Sequence, residues 1–393
     1  MAKTKTKATK VAALTKRGAA RARSGHPWVY RSDVERAAGE VGDVVRVTDK
    51  ARRFLGYAFY NPKSEITLRI VTREEEEVNE AVFHARIERA QAYRKSLDID
   101  ADAYRLLHAE ADGIPGLVVD RYGDFFVLQA GSAAIERRLN WILAALEDLF
   151  APAGVLLRGD SAARRKEGLE TEVRVLSGEV PEGVVVREGQ VRYRAQLWTG
   201  QKTGGFLDQR ENHLAVEHYA RDRVLDVFSY AGGFALHAAR FANSVEAVDS
   251  SGDALKVVCA NAELNDLSNV TFTRANAFDL LRERSDAGER YDTVILDPPA
   301  LAKTKRDLSA AARAYKEINL RALKLLSDGG ILFTCSCSYH FSREMMEETL
   351  RSAAADAGRV VRVREWRGQA KDHPEILAIP ETRYLKCAVL ECL

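Results

Sequence analysis

Asp226-Val227-Phe228-Ser229-Tyr230-Ala231-Gly232-Gly233-Phe234 is the stretch on which the fold is read. It completes an apolar run, Val224–Phe228, turns over two glycines and enters a helix-like segment, Gly233–Phe241. A strand, a glycine turn and a helix open a βαβ unit, and ligands of parallel sheets bind beyond the carboxyl ends of the strands. Glycine at such a turn lets the backbone come close to a ligand. The nicotinamide fingerprint GxGxxG is absent, which weighs against a dehydrogenase.

Downstream, the rhythm repeats. Strands are expected at Val245–Asp249, Val270–Arg274, Thr293–Asp297 and Ile331–Thr334, with helices at Ala254–Leu264 and Ala310–Leu326 between them. The pattern predicts an α/β, Rossmann-like domain with a parallel sheet. Two further carboxylates fall at strand ends. Asp249 stands 23 residues after Asp226, the place where a carboxylate holds ribose hydroxyls. Asp297-Pro298-Pro299 ends another strand in a rigid turn that presents a carboxylate at the sheet edge.

Upstream, the patterning is different. Runs at Val44–Val47, Phe54–Tyr60 and Ile66–Val71, punctuated by turn residues, suggest a small β-barrel within Val11–Arg73. Glu74–Leu97 reads as a charged helix. Gly116–Gln129 reads as two strands joined at Gly123-Asp124, and Ile135–Phe150 as an amphipathic helix with Leu139, Ile142 and Leu146 on one side. Val155–Leu157 and a hairpin around Glu188-Gly189-Gln190 complete a small α+β unit, with Arg164–Gly168 expected as an exposed loop.

At 393 residues the chain needs more than one core. No apolar run approaches the ~20 residues that span a bilayer, and the start lacks a signal-peptide core, which points to the cytoplasm and away from membranes. The cysteines are Cys259, Cys335, Cys337, Cys387 and Cys392, an odd set without CxxC spacing, so neither a disulfide framework nor a metal site is expected. Net charge is only +2, yet eight basic residues and no acidic one fall between Met1 and Arg23. A run of this kind neutralises phosphates or serves as a solvated tail.

With these features in place the sequence resembles the class I S-adenosylmethionine methyltransferases, and within them the RlmI family of ribosomal RNA large-subunit methyltransferases, which make 5-methylcytosine. The resemblance is carried by Ser24–Tyr30, Asp112–Leu117, Gln201–Arg210, Asp226–Phe234, Asp297–Lys303 and Thr334–Ser338. It implies a basic tail at 1–10, a PUA-like RNA-binding β-barrel at 11–75, a linker helix with a central α+β domain at 76–197, and the methyltransferase domain at 198–393. The implied partner is large-subunit ribosomal RNA, and there is room for a homodimer.

The same resemblance implies roles for residues. Asp226, Phe228, Tyr230 and Gly232 would line the methionine end of S-adenosylmethionine, Asp249 its ribose, and Asn276 with Ala277 its adenine, next to Asp297 and Pro298. Many relatives have Asp where this chain has Asn276. Cytosine C5 is a poor nucleophile, so such enzymes add a thiolate to C6 to activate it. Cys335 and Cys337 lie two apart near the end of the last parallel strand. Counting from Gly329-Gly330 places Cys337-Ser338 on the Thr-Cys-Ser nucleophile motif of RNA 5-methylcytosine enzymes. Asp297 would hold the N3 side of the flipped base. Relatives with two cysteines have the second after the proline of the Asp297 turn, where this chain has Ala300. Lys303 is a candidate for lowering the thiol pKa or for binding phosphate, and Arg210 for contacting RNA. His26, Trp28 and Tyr30 are candidates for stacking or packing. Two other readings stay open: methylation of a guanine or adenine nitrogen, which needs no cysteine, and a non-catalytic RNA-binding assembly protein.

Overall fold

The computed structural model describes residues 10–393. The tail expected at 1–10 therefore lies almost wholly outside the described residues. Lys10, which ends it, and several basic residues that follow are folded and paired. Val11–Leu14 is a strand and Lys16–Arg23 a helix, and Lys10 meets Asp43 at 2.5 Å, Arg17 meets Asp33 at 2.5 Å, and Arg23 pairs with Asp49. Part of the positive charge read over Met1–Arg23 is thus neutralised within the fold.

The chain forms two units. The first comprises the chain up to Val184, Ala195–Gly204 and Asp372–Thr382; the second comprises Val185–Arg194, Gly205–Lys371 and Arg383–Leu393. The first unit holds two sheets. One has six strands, in the order Trp28–Val29, Leu68–Thr72, Phe54–Tyr60, Val44–Thr48, Val11–Leu14, Val34–Ala37. The other has five, in the order Val173–Gly178, Gly154–Arg158, Phe125–Ala130, Leu117–Tyr122, Ala103–His108. The helices Glu80–Lys95 and Leu139–Phe150 cover the second sheet through Phe83, Ile87, Ile142 and Leu146, all buried.

The loop expected at Arg164–Gly168 is instead a helix, Ala162–Glu167, with Arg164 buried. Its guanidinium donates to the carbonyls of Ala130 (3.1 Å) and Glu170 (2.9 Å) and meets Glu136 at 2.6 Å. A buried cation is tolerated when its donors are satisfied in this way.

The second unit is built on a seven-stranded sheet. In chain order its strands are β1 (Arg223–Val227), β2 (Ser244–Asp249), β3 (Val270–Arg274), β4 (Tyr291–Leu296), β5 (Leu326–Ser336), β6 (Val361–Arg367) and β7 (Lys386–Cys392). Their spatial order is β3-β2-β1-β4-β5-β7-β6. β1 to β5 run parallel, and β7 inserts antiparallel between β5 and β6. Helices α1 (Gly233–Ala239), α2 (Gly252–Leu264), α3 (Ala277–Asp286), α4 (Leu308–Leu325) and α5 (Arg343–Ala357) cross between strands. Buried residues form a core on each face, one with α3, α4 and α5, the other with α1 and α2. Burial on both faces explains why the parallel strands read as continuous apolar runs rather than alternating ones.

Two features differ from the sequence reading. Gly329-Gly330 is not a turn before β5 but an irregularity inside it, where the pairing with β4 shifts from Tyr291↔Leu326 to Thr293↔Ile331. The β6–β7 pair, not expected from the sequence, adds an antiparallel edge to the parallel sheet. Among the described residues no helix is long and apolar enough to cross a membrane.

Candidate active site

The turn after β1 is tightly constrained. Phe228 (φ 68°), Tyr230 (φ 47°) and Gly232 (φ 87°) are all left-handed, a conformation that costs a non-glycine residue about 1 kcal/mol or more. Backbone hydrogen bonds hold it: Ser229 N–H donates to Val248 O (3.0 Å) and Tyr230 N–H to Asp249 Oδ2 (3.0 Å). The glycines answer to packing. A Cβ on Gly232 would stand 2.2 Å from Val258 Cγ2 of α2, and one on Gly233 2.4 Å from the His213 ring. The protein's own close contacts therefore already require both glycines, without the ligand approach expected from the sequence.

Three carboxylates meet at the carboxyl edge of the sheet. Asp226, in β1, is 1% exposed, and its Oδ2 has no hydrogen-bond partner. Burial, then the negative charges of Asp297 and Asp249, push its carboxyl up to about 8, although it accepts a hydrogen bond from the Ala235 N–H. Asp249, ending β2, accepts from Tyr230 N–H and from Ser251 N–H (2.8 Å). Asp297, just past β4, is half-buried and is followed by the buried Pro298. Ser229 Oγ is a second buried polar atom without a partner in this turn. A partly unsatisfied group of carboxylates at a parallel sheet edge suits a ligand that brings positive charge and hydroxyl donors.

Asn276 sits at the neighbouring corner, exposed, as the N-cap of α3. Its Oδ1 accepts from Phe278 N–H (2.9 Å) and Asp279 N–H (3.4 Å), and Ala277 begins the helix buried. The cap commits the amide oxygen and leaves its N–H₂ available as a donor.

The two thiols near the end of β5 differ in kind. Cys335 is 0% exposed and faces the core beside α1 and α2. Burial, together with Cys387 opposite it and the charge of Asp297, raises its thiol well above the ordinary value. Cys337 lies beyond the strand end and is half-buried, so strand alternation does not carry from one to the other. It is flanked by two buried serines. Ser336 Oγ donates to Tyr315 OH (2.9 Å), and Ser338 Oγ bonds the same phenol (3.1 Å) while accepting from Ala302 N–H (3.0 Å). These bonds account for the polar Cys-Ser-Cys-Ser run at the end of an apolar strand. They also fasten the Cys337 loop to the segment that follows Asp297-Pro298-Pro299.

Two expected site residues are placed otherwise. Arg210, read as an RNA contact, is 1% exposed, so a phosphate in solvent has no access to it in this conformation. Lys303, read as a possible electropositive neighbour of the thiol, is exposed. A buried cation on which Cys337 acts is Lys386, the first residue of β7, which the sequence reading missed. Its one signal is a lysine heading an apolar run, Lys386-Cys387-Ala388-Val389-Leu390. His26, Trp28 and Tyr30 are half-buried and engaged: His26 Nε2 lies 3.1 Å from Glu381, Trp28 Nε1–H donates to Glu110 (2.7 Å), and Tyr30 packs under Arg21. These contacts are those of packing groups.

Comparison with known proteins agrees with this geometry. A family model described as a PUA-like domain matches residues 13–73, and one described as S-adenosylmethionine-dependent methyltransferase matches residues 162–369. Ribosomal RNA large subunit methyltransferase I of Klebsiella pneumoniae (strain 342) is 40% identical over 371 residues, covering 92% of this chain and 93% of its own. Its namesake from Escherichia coli O139:H28 is 39% identical, covering 92% of this chain and 94% of its own. Among solved structures, a SAM-dependent methyltransferase from Streptococcus mutans superposes with a TM-score of 0.82 at 20% identity, covering 97% of this chain and 99% of its own. SMU.776, a methyltransferase crystallised with SAH, superposes with a TM-score of 0.84 at 21% identity and the same coverage.

Fold, site and family match define the class: an S-adenosylmethionine-dependent methyltransferase with a PUA-like N-terminal domain. Within that class, the chain belongs to the family of ribosomal RNA large subunit methyltransferase I. Its cofactor is S-adenosylmethionine, and the orphaned Oδ2 of Asp226, beside the charges of Asp297 and Asp249, fits the cationic methionine end of that molecule.

Proposed function

We propose that this enzyme forms 5-methylcytosine in large-subunit ribosomal RNA through a covalent adduct between Cys337 and C6 of the base. The observation that carries the reading is the position of Cys337. It is the half-buried thiol of the pair, at the strand end next to the Asp297 turn and beside a buried lysine. Cys335, sealed in the core with a raised thiol pKa, is the poorer nucleophile.

In this reading Asp226 holds the cationic methionine end of the cofactor, with Phe228, Tyr230 and Gly232 shaping the turn around it. Asp249 binds the ribose, and Asn276 with Ala277 meets the adenine. Because the helix cap takes its oxygen, Asn276 would donate N–H to an adenine ring nitrogen, whereas an aspartate would accept from the amino group. S-adenosylmethionine supplies an electrophilic methyl on a sulfonium. The Cys337 sulfur adds to C6, and the C5=C6 electron pair becomes available at C5 for the methyl. Asp297, beside Pro298, holds the N3 side and stabilises charge in the adduct. Removal of the C5 proton then restores the double bond and expels the Cys337 thiolate. The methyl of Ala300 carries no acid–base group to assist that release, so another base takes the proton.

The PUA-like domain and Lys303 would contact RNA, with Arg210 supporting the pocket from within rather than touching the substrate. The division near residues 75 and 197 into PUA-like, central and methyltransferase domains belongs to the same reading.

RNA carrying 5-fluorocytosine tests it, because fluorine at C5 cannot leave as a proton and the adduct accumulates. A covalent complex is expected with the wild type and with Cys335→Ser, and none with Cys337→Ser. Full methyl transfer by Cys337→Ala would exclude the adduct and favour a guanine or adenine nitrogen as acceptor.

A further inference from the structure

Lys386 lies across from Ser336 in the antiparallel pairing of β5 and β7, which sets it against the Cys337 loop. The residue is 9% exposed. Its ammonium donates to the carbonyls of Ser338 (2.7 Å) and Tyr384 (2.9 Å), which leaves one N–H. Both partners are neutral, and among the described residues no carboxylate forms an ion pair with it. A buried cation without a counter-ion is costly, and such groups normally lose their proton or find an anion. Of the groups around it, Cys337 is the one whose negative charge favours the protonated lysine.

We propose that Lys386 is a positioning residue for the thiol chemistry, its buried ammonium holding the Cys337 sulfur as thiolate in the resting enzyme. The step is a single proton transfer from Cys337 sulfur to Lys386 nitrogen. No other reagent is needed, and the pair's total charge does not change. The same lysine clamps the carbonyl of Ser338, so it also fixes the loop on which the sulfur sits.

The surroundings favour this exchange. Burial lowers the lysine to about 8, near the ~8.5 of an unperturbed free thiol, which brings the two kinds of group within range of proton exchange. Tyr315, facing the loop from α4, is pushed up by burial and by the charge of Cys337, and remains a neutral phenol that bonds Ser336 and Ser338. Asp297 acts from the end of β4 on the sealed Cys335 and on Asp226. Cys387, next to Lys386 on β7, faces Cys335.

The proposal deepens the reading of Cys337 as nucleophile, yet it can be tested without RNA. Alkylation of the full-length protein by iodoacetamide, followed across pH on the peptide carrying Cys337, reads the thiolate directly. The wild type is expected to titrate at least one pH unit below the free-thiol value of ~8.5. Lys386→Met should bring it back to that value and slow alkylation at pH 7 about tenfold. Lys386→Arg, which keeps the cation, should retain the low value. A wild-type titration at or above the free-thiol value overturns the proposal whether or not the variants fold, and so does an unmoved profile in a folded Lys386→Met. Failure of the nucleophile reading looks different: a low thiol pKa in an enzyme that traps no 5-fluorocytosine RNA.

Discussion

Two charge clusters in this protein are each built around a buried aspartate and end in opposite states. In the first unit, Arg105 meets both oxygens of Asp120 (2.8 and 2.9 Å), and Thr203 Oγ1 adds a third bond at 2.6 Å. Beside it Arg94 meets both oxygens of Asp112 (2.5 and 2.8 Å) and donates to Asp372 O, while Asp372 accepts from Arg105 N–H. These carboxylates are closed by their own cations, and they pin Asp372 and Thr203 to the unit. At the sheet edge of the second unit Asp226 is equally buried, but its neighbours are two more carboxylates. A closed cluster holds the chain together. A buried carboxyl with an unpartnered oxygen, pushed towards its neutral form by like charges, is one whose ionised form a cationic ligand would stabilise, which makes it a candidate binding site.

The comparison can be broken from either side. The largest effect is expected from Cys337→Ala, which should lower methyl transfer by about three orders of magnitude or more while leaving cofactor binding and thermal midpoint in place. Calorimetry with S-adenosylmethionine separates the two; joint loss of binding and activity would assign the thiol to the pocket instead. Next, Arg105→Met leaves Asp120 buried without its cation and should cost about 3–5 kcal/mol in urea unfolding of the first unit. A cost within 1 kcal/mol would mean that the closed cluster is not structural.

Asp226→Asn should act in the opposite direction. The folded carboxyl, near 8, lies above its unfolded value of ~3.9, so the native state holds the proton more tightly and stability falls as pH rises from about 4 to 8. An amide does not titrate. The variant should therefore be more stable than wild type by about 1–3 kcal/mol at pH 8 without ligand, with the gain fading towards pH 4, and it should bind cofactor more weakly. A variant less stable than wild type at pH 8 would contradict the open-cluster view. The smallest effect is expected at exposed Lys303. Its replacement by Ala should weaken RNA binding by less than about 1 kcal/mol and lower the slope of log affinity against log salt by about one. An unchanged slope would remove it from the RNA contacts.

How much of this was legible in the sequence differs by residue. β1 to β4 were readable within two residues of their ends, because buried parallel strands have a simple apolar signature and their glycine or proline turns mark the exits. Asp226, Asp249 and Asp297 were readable as strand-end carboxylates for the same reason. Arg164 was misread as an exposed loop residue, since nothing local announces that Ala130, Glu136 and Glu170 will surround it. Arg210 was misread as an RNA contact because an arginine in a polar motif looks the same whether it ends at the surface or in the core. β6 and β7 went unread, and with them Lys386.

From the sequence alone came the order of strands and helices, the aspartates at the strand ends, the paired glycines and, by resemblance, Cys337 as the expected nucleophile of two neighbouring thiols. Short-range sterics and hydrophobic periodicity write such features locally. Only the tertiary structure decided which thiol is sealed, which arginines are buried, that one carboxylate oxygen is left without a partner, and that a lysine from the last strand stands beside Cys337. The placing of Cys335 and Lys386 depends on β7 pairing with β5 across a long stretch of chain, and in every case burial and counter-charge are properties of the assembled neighbourhood rather than of any segment within it.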